Sequence, residues 1–275
     1  MERLPPIKCA IRFIRVISVP ENANMKKLVP IGSILALFAF ALPENKKITI
    51  WLCGDSTMSI KDKRAYPETG WGMPFVYFWD STVTVENLAK NGRSTSSFRN
   101  EGLWKKVMDE AKEGDYVFVQ FGHNDEVPTK KTYTTETEFK NNLKQYVSET
   151  RSKKAIPVLL TPMARRSFDS TTGKIRGTHD VYAQIIRDVA KEENVVLFDM
   201  DRATQTLYQQ MGIENSKLLF NHLKPGVHPN YPEGKEDNTH FSELGARLVA
   251  QLVLDEIKKQ IPGLAERVFS PVKNN

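Results

Sequence analysis

Short apolar runs rich in β-branched residues recur along the chain at 48–53, 82–86, 116–121, 156–161 and 195–199. Runs of this length and composition suit strands buried on both faces. Between them the apolar positions take up a helical period. Phe139, Leu143, Tyr146, Val147 and Thr150 fall on one face, and Val181, Ile185 and Val189 repeat at every fourth residue behind a capping candidate, Thr178. A last helix is predicted over about 242–261, with Leu244, Leu248, Leu252 and Ile257 on its apolar side and Pro262 closing it. Near-continuous apolar strands alternating with helices predict an α/β fold, a parallel sheet covered on both faces. Ligands of such sheets gather beyond the carboxyl ends of the strands, so the polar residues that follow each run are where chemistry is expected.

The first forty-odd residues break the pattern. From Met25 the chain reads Met-Lys-Lys, then runs without charge from 28 to 42 through Ala39-Phe40-Ala41. A basic start, a short apolar run and small residues spaced Ala-x-Ala make up a secretory signal. The run is short for a membrane span and contains Pro30. We expect an upstream extension and signal peptide over 1–41, with the start at Met25 and cleavage near Ala41, followed by a single domain over 42–275. That predicts a secreted or periplasmic protein without stable membrane insertion after cleavage. Most of the net charge of +6 also belongs to this leader, whose six basic and two acidic residues leave +2 for the rest. No whole-protein case for a polyanion remains, and no basic stripe interleaved with aromatics points to nucleic acid. The two cysteines, Cys9 and Cys53, form no CxxC pair and cannot make a disulfide scaffold; Cys53 reads as a small buried hydrophobe inside the first strand.

Four polar segments stand at the expected places. The first strand ends in Gly54-Asp55-Ser56-Thr57, either a plain turn or an exposed serine hydroxyl. The second leads to Asn91-Gly92-Arg93-Ser94, a turn or a glycine whose backbone N–H faces a reacting oxygen. The third ends in Gly122-His123-Asn124-Asp125, an Asx-type turn or an amide aimed at an oxyanion with an aspartate bracing the loops. Asp237 precedes His240 by three residues, about one helical turn, just before the last helix. A serine nucleophile needs a base, and the base needs a carboxylate to fix its tautomer, so the first and last segments complement each other. The Gly-x-Ser-x-Gly elbow of α/β-hydrolases is absent. His222, His228 and His240 match no tight metal-ligand spacing.

In the order Ser56, Gly92, Asn124, His240, these segments resemble the SGNH (GDSL) hydrolase superfamily, and within it the rhamnogalacturonan acetylesterases. Thr69-Gly70-Trp71-Gly72, Gly122-His123-Asn124-Asp125, Thr161-Pro162 with Arg165-Arg166, and the 229–235 segment before Asp237 carry that resemblance. It implies a flavodoxin-like three-layer α/β/α sandwich around a mainly five-stranded parallel sheet. It implies Ser56, Asp237 and His240 as catalytic residues, and the backbone N–H groups of Ser56 and Gly92 with the Asn124 amide as the oxyanion hole. The implied substrate is an acetylated polysaccharide or oligosaccharide of the pectin type, and the implied chemistry needs no metal or organic cofactor. Trp71, Arg93, His123, Arg165 and Arg166 are candidates for binding it, the arginines because a guanidinium pairs bidentately with a uronate carboxylate. Another acetylesterase such as an acetylxylan esterase, a lipase or a thioesterase is the alternative within the superfamily, and a lipase would show a broad apolar face beside the site. A non-catalytic polysaccharide-binding protein would require a broken triad.

Overall fold

Alternation along the first strand decides the layering. In β1 (Ile48–Gly54), Ile48, Ile50 and Leu52 belong to one buried cluster and Trp51 and Cys53 to another. Successive strand side chains point to opposite faces, so a strand with buried apolar side chains on both sides must be covered on both. The computed structural model describes residues 46–270. The leader with its start at Met25 and the boundary near residue 42 lie outside the described residues.

With β1, the strands β2 (Val83–Asn87), β3 (Tyr116–Gln120), β4 (Ile156–Leu160) and β5 (Val196–Phe198) form a five-stranded sheet in the order β2-β1-β3-β4-β5, every pair parallel. The helices are α1 (Gly72–Phe75), α2 (Thr95–Asn100), α3 (Leu103–Glu110), α4 (Glu136–Ser152), α5 (Asp180–Glu192), α6 (Met200–Asn215) and α7 (Glu243–Gln260). Side chains of α1, α6 and α7 join the cluster of Ile50 and Leu52, whereas those of α2, α3, α4 and α5 join that of Trp51 and Cys53. The sandwich expected from the sequence is therefore present, and the runs read as strands sit within one residue of the observed ends. The order reverses at β1, between β2 and β3, and a crevice opens at such a switch point.

Two helices present a different face from the predicted one. In α7 the sheet side is Gly245, Ala246, Val249, Ala250, Val253, Leu254 and Ile257; Leu244 is exposed, and Leu248 and Leu252 flank the core only partly buried. The four-residue spacing is right but displaced by one position, because small and β-branched side chains let the helix lie close to the sheet. In α5, Val181 is exposed, while Tyr182, Ala183, Ile186 and Val189 turn inward. The cap position there is His179; the Thr178 hydroxyl instead accepts from the Arg165 backbone N–H. For α4 the predicted face holds throughout, and its first turn is closed by a Thr135–Glu138 capping box.

The sequence reading missed a hairpin, β6 (Phe220–Leu223) paired antiparallel with β7 (Lys235–Phe241). It carries Asp237 and His240. No helix among the described residues is long and apolar enough to cross a membrane.

Candidate active site

Ser56 stands one residue beyond Asp55 in the turn after β1. Asp55 is fully buried, and its Oδ1 accepts from the Thr57 N–H at 2.9 Å and the Thr57 hydroxyl at 2.8 Å, which closes an Asx turn. The backbone of this turn is held from outside by the Thr69-Gly70-Trp71-Gly72 segment. Trp71 N–H donates to Thr57 O at 2.9 Å and Gly72 N–H to Met58 O at 3.2 Å. Gly70 lies so close that a Cβ there would stand 2.1 Å from Ser59 O, so only glycine fits. The Trp71 indole donates to Gln120 Oε1 at 2.7 Å, and Gln120 Nε2 donates to Thr57 Oγ1 at 2.6 Å. A chain of bonds thus locks the Ser56 turn to the end of β3. Trp71 is 0 % exposed, so it braces the site from beneath and offers no face to a sugar.

Ser56 Oγ lies 2.9 Å from His240 Nε2, and His240 Nδ1 lies 2.8 Å from Asp237 Oδ2. Burial alone would raise the Asp237 carboxyl, but the hydrogen bonds from the His240 ring and backbone outweigh it and hold the group well below the usual carboxylate range. An ionised Asp237 is acceptor-only, so Nδ1 carries the proton and Nε2 accepts from the Ser56 hydroxyl. The three-residue offset is not a helical turn, as the sequence suggested, because both residues lie in β7. Residues three apart on a regular strand face opposite ways. Here Asp237 Oδ1 accepts from the N–H groups of Thr239 and His240 at 2.8 and 2.9 Å, and that local turn brings the imidazole round to Oδ2.

Gly92 and Asn124 line the same cleft as Ser56 and His240, a space of about 410 Å³. Gly92 has φ of +78°, and a Cβ there would meet nothing within 4 Å, so the left-handed backbone rather than crowding calls for glycine. Asn124 donates one amide hydrogen to Arg93 O at 2.9 Å and accepts from Lys130 Nζ at 2.8 Å, which leaves its second hydrogen to give. Asp125 braces the loops as expected. Its Oδ1 accepts from Thr95 N–H, Thr95 Oγ1 and Thr134 Oγ1, and burial pushes its carboxyl up to about 6.

The arginine candidates divide. Arg165 lines the cleft but pairs with Glu126 at 2.9 Å. Arg93 pairs with Glu101 at 2.6 Å and does not line the cleft. Arg166 is taken up by Ser216 Oγ, Asn238 Oδ1 and Ile213 O, also away from it. His123 lines the cleft wall yet is 3 % exposed; its ring nitrogens are buried, it packs edge-on against His179, and burial lowers it well below the ordinary histidine range. The three histidines weighed as ligands are not brought together: His222 bonds Asn238, and His228 packs on Tyr66 and Tyr231. Cys53 is fully buried and its thiol is pushed up by burial, as its place inside a strand implied.

Four cleft residues escaped the sequence reading: Lys61 behind the wall, and Glu68, Lys130 and Lys235 on it. The Lys61 ammonium, its side chain 2 % exposed, donates to Ser56 O at 2.5 Å and Asn91 Oδ1 at 2.8 Å, and pairs with Glu68 at 2.7 Å. It lies in a run of charged residues, 61–64, that reads as a solvated loop. Glu68, Asp237 and His240 approach one another within 4.8 Å, but Lys61 holds Glu68 and both histidine nitrogens are engaged.

The model of the GDSL-like lipase/acylhydrolase family matches residues 52–248, a span that takes in every element of this site. The chain belongs to that family. It is 42 % identical over 216 residues to the rhamnogalacturonan acetylesterase RhgT of Bacillus subtilis, covering 78 % of this chain and 91 % of that one. Among solved structures it is similar to protein YXIM of Bacillus subtilis, with a TM-score of 0.67 and 28 % identity over 78 % of this chain and 57 % of that chain. The acetylxylan esterase Axe2 of Geobacillus stearothermophilus, at 21 % identity and a TM-score of 0.53 over 78 % and 95 % of the two chains, shares the fold.

Proposed function

We propose that this SGNH hydrolase removes O-acetyl groups from rhamnogalacturonan through an acetyl-serine intermediate. The chain is a carbohydrate acetylesterase of the GDSL family; the polymer and the chemical steps are our reading. The unbroken hydrogen-bond line from Ser56 through His240 to Asp237, opening on the cleft shared by Gly92 and Asn124, carries it.

His240 Nε2 takes the proton from Ser56 Oγ as the oxygen attacks the acetyl carbonyl, and Asp237 stabilises the imidazolium. The Ser56 and Gly92 N–H groups and the remaining Asn124 amide hydrogen bind the tetrahedral oxyanion. Each such donor contributes about 10²–10³ in rate. On collapse the proton passes from His240 to the departing sugar oxygen. Water then gives its proton to His240 as it attacks the acetyl-serine, and Ser56 regains a proton as acetate leaves. Apart from Gly92, every residue lining the cleft is polar or charged, which disfavours a lipase.

The test is acetate release from acetylated rhamnogalacturonan by the wild type and by Ser56→Ala. The wild type should release acetate and Ser56→Ala should be slower by about 10⁴-fold or more. Near-equal rates end the nucleophile assignment, and a wild type that acts on acetylated xylan but not on rhamnogalacturonan ends the substrate assignment.

A further inference from the structure

The charges around the cleft do not cancel. Glu68 is matched by Lys61 at 2.7 Å and Glu126, behind the wall, by Arg165 at 2.9 Å, while Asp237 is hydrogen-bonded by the neutral His240 at 2.8 Å; with Lys130 and Lys235 the cations exceed these carboxylates by one. Among the described residues, two cations on the same cleft have no carboxylate within hydrogen-bond distance. Lys130 rests its ammonium on the neutral amide oxygen of Asn124 at 2.8 Å. Lys235 stands 3.8 Å from Asp237 Oδ2, an oxygen already bonded to His240, with its ammonium 5.9 Å from the centre of the Tyr231 ring. One lysine is beside the oxyanion amide and the other beside the acid–base pair, so both flank the place where the ester reacts.

We infer that Lys130 and Lys235 are specificity-determining residues that read a uronate carboxylate in the bound sugar chain. The inference rests on the proposed function and names the part of the site that distinguishes acidic from neutral polysaccharide. The arginines expected to do this are already satisfied by Glu101, Glu126 and the loop around Asn238. A guanidinium held by a protein carboxylate has little attraction left for a second one. An ammonium on a neutral amide, or at 3.8 Å from a shared oxygen, keeps most of its charge for an incoming anion. Both lysines are open to water, so each contact is modest and sensitive to salt.

The experiment compares one acetylated galacturonate-containing oligosaccharide with its carboxyl-reduced counterpart, in which the acetyl ester is kept and the acid becomes a neutral alcohol. Wild type, Lys130→Met, Lys235→Met and Lys235→Arg are measured at low and at physiological ionic strength. The wild type should favour the acidic substrate about 10-fold in kcat/KM, chiefly through KM, and salt should narrow the ratio. Each methionine variant should lower that ratio about 3–5-fold, and Lys235→Arg should restore it. Lys130→Met also disturbs Asn124 and will slow both substrates, so Lys235→Met carries the decision. Equal losses on the acidic and reduced substrates, or a wild type indifferent to the carboxylate, overturn the inference while leaving the acetylesterase reading in place. A wild type that releases acetate from neither substrate sinks both.

Discussion

Asp125→Asn separates the charge of the loop-bracing carboxylate from its shape. All of the hydrogen bonds that Asp125 accepts, from Thr95 N–H and Oγ1 and from Thr134 Oγ1, fall on Oδ1, whereas the buried Oδ2 has no protein partner. Asparagine can keep the oxygen where it is used and place its NH₂ where nothing is bonded. What disappears is the ionisation. Burial, the largest influence, pushes the carboxyl from 3.8 to about 6 in the folded protein, against the opposing bonds from Thr95 and Thr134. Its folded value exceeds its unfolded one, so between these values the folded state binds the extra proton. Stability from this group is therefore complete below about pH 4 and lost as the pH rises to about 6. The gap corresponds to about 3 kcal/mol, or roughly 6–12 °C in melting temperature for a domain of this size. Asp55, also raised by burial, adds a smaller upward push to Asp125 through its own charge, so the difference between the two proteins includes this coupling. Thermal melts of wild type and variant from pH 4 to 8 read the difference directly. The variant should gain on the wild type as the pH rises from 4 to 6 and hold a constant offset above that. Parallel curves across the whole range would show that Asp125 ionises without cost and would refute the argument.

Lys61→Met leaves Ser56 O, Asn91 Oδ1 and the Glu68 carboxylate without their shared ammonium. We expect kcat to fall about 10–100-fold and the acid limb of the pH–rate profile to move toward higher pH, because an unneutralised carboxylate beside the imidazole favours its protonated form; adding Glu68→Gln should return the limb, and an unmoved profile counts against the role. For the leader, N-terminal sequencing of exported protein should find a chain beginning close to Leu42, and one that retains Arg12 would refute the start at Met25.

How far the site could be read from the sequence depended on the kind of interaction involved. The strands were legible because β1, β3 and β4 are apolar on both faces, and a run of that kind has few alternatives. Ser56 and Asn124 were legible because they follow β1 and β3, and Gly92 because it follows the more exposed β2 in an Asn-Gly turn. The Asp237–His240 pair was found by its spacing but placed on the wrong backbone. β7 alternates polar residues on a hairpin away from the main sheet, and nothing in its sequence distinguishes it from a loop. The faces of α5 and α7 were each displaced by one position: Tyr182 and Ile186 turn inward in α5 where Val181 and Ile185 were expected, and Gly245, Ala246, Val249 and Ala250 take the buried side of α7 in place of Leu244 and Leu248.

The candidates for recognition failed for a different reason, one that matters for what the enzyme selects. Arg165 does reach the cleft, so its position was judged correctly. Whether an arginine can receive a substrate depends on the carboxylate already beside it, and Glu126 lies 39 residues away in the chain. Neutralisation of that kind is a long-range property which local sequence does not carry. Lys61 is a second case, since its acceptor Asn91 is 30 residues distant, whereas Lys130 meets its neutral amide only 6 residues away. The residues proposed for catalysis follow sheet strands or stand three apart in β7, so they leave a motif. The residual charge that selects an acidic sugar is only the difference left after pairing. It can therefore move between relatives without disturbing the triad, and a family motif alone is a poor guide to which polysaccharide is deacetylated.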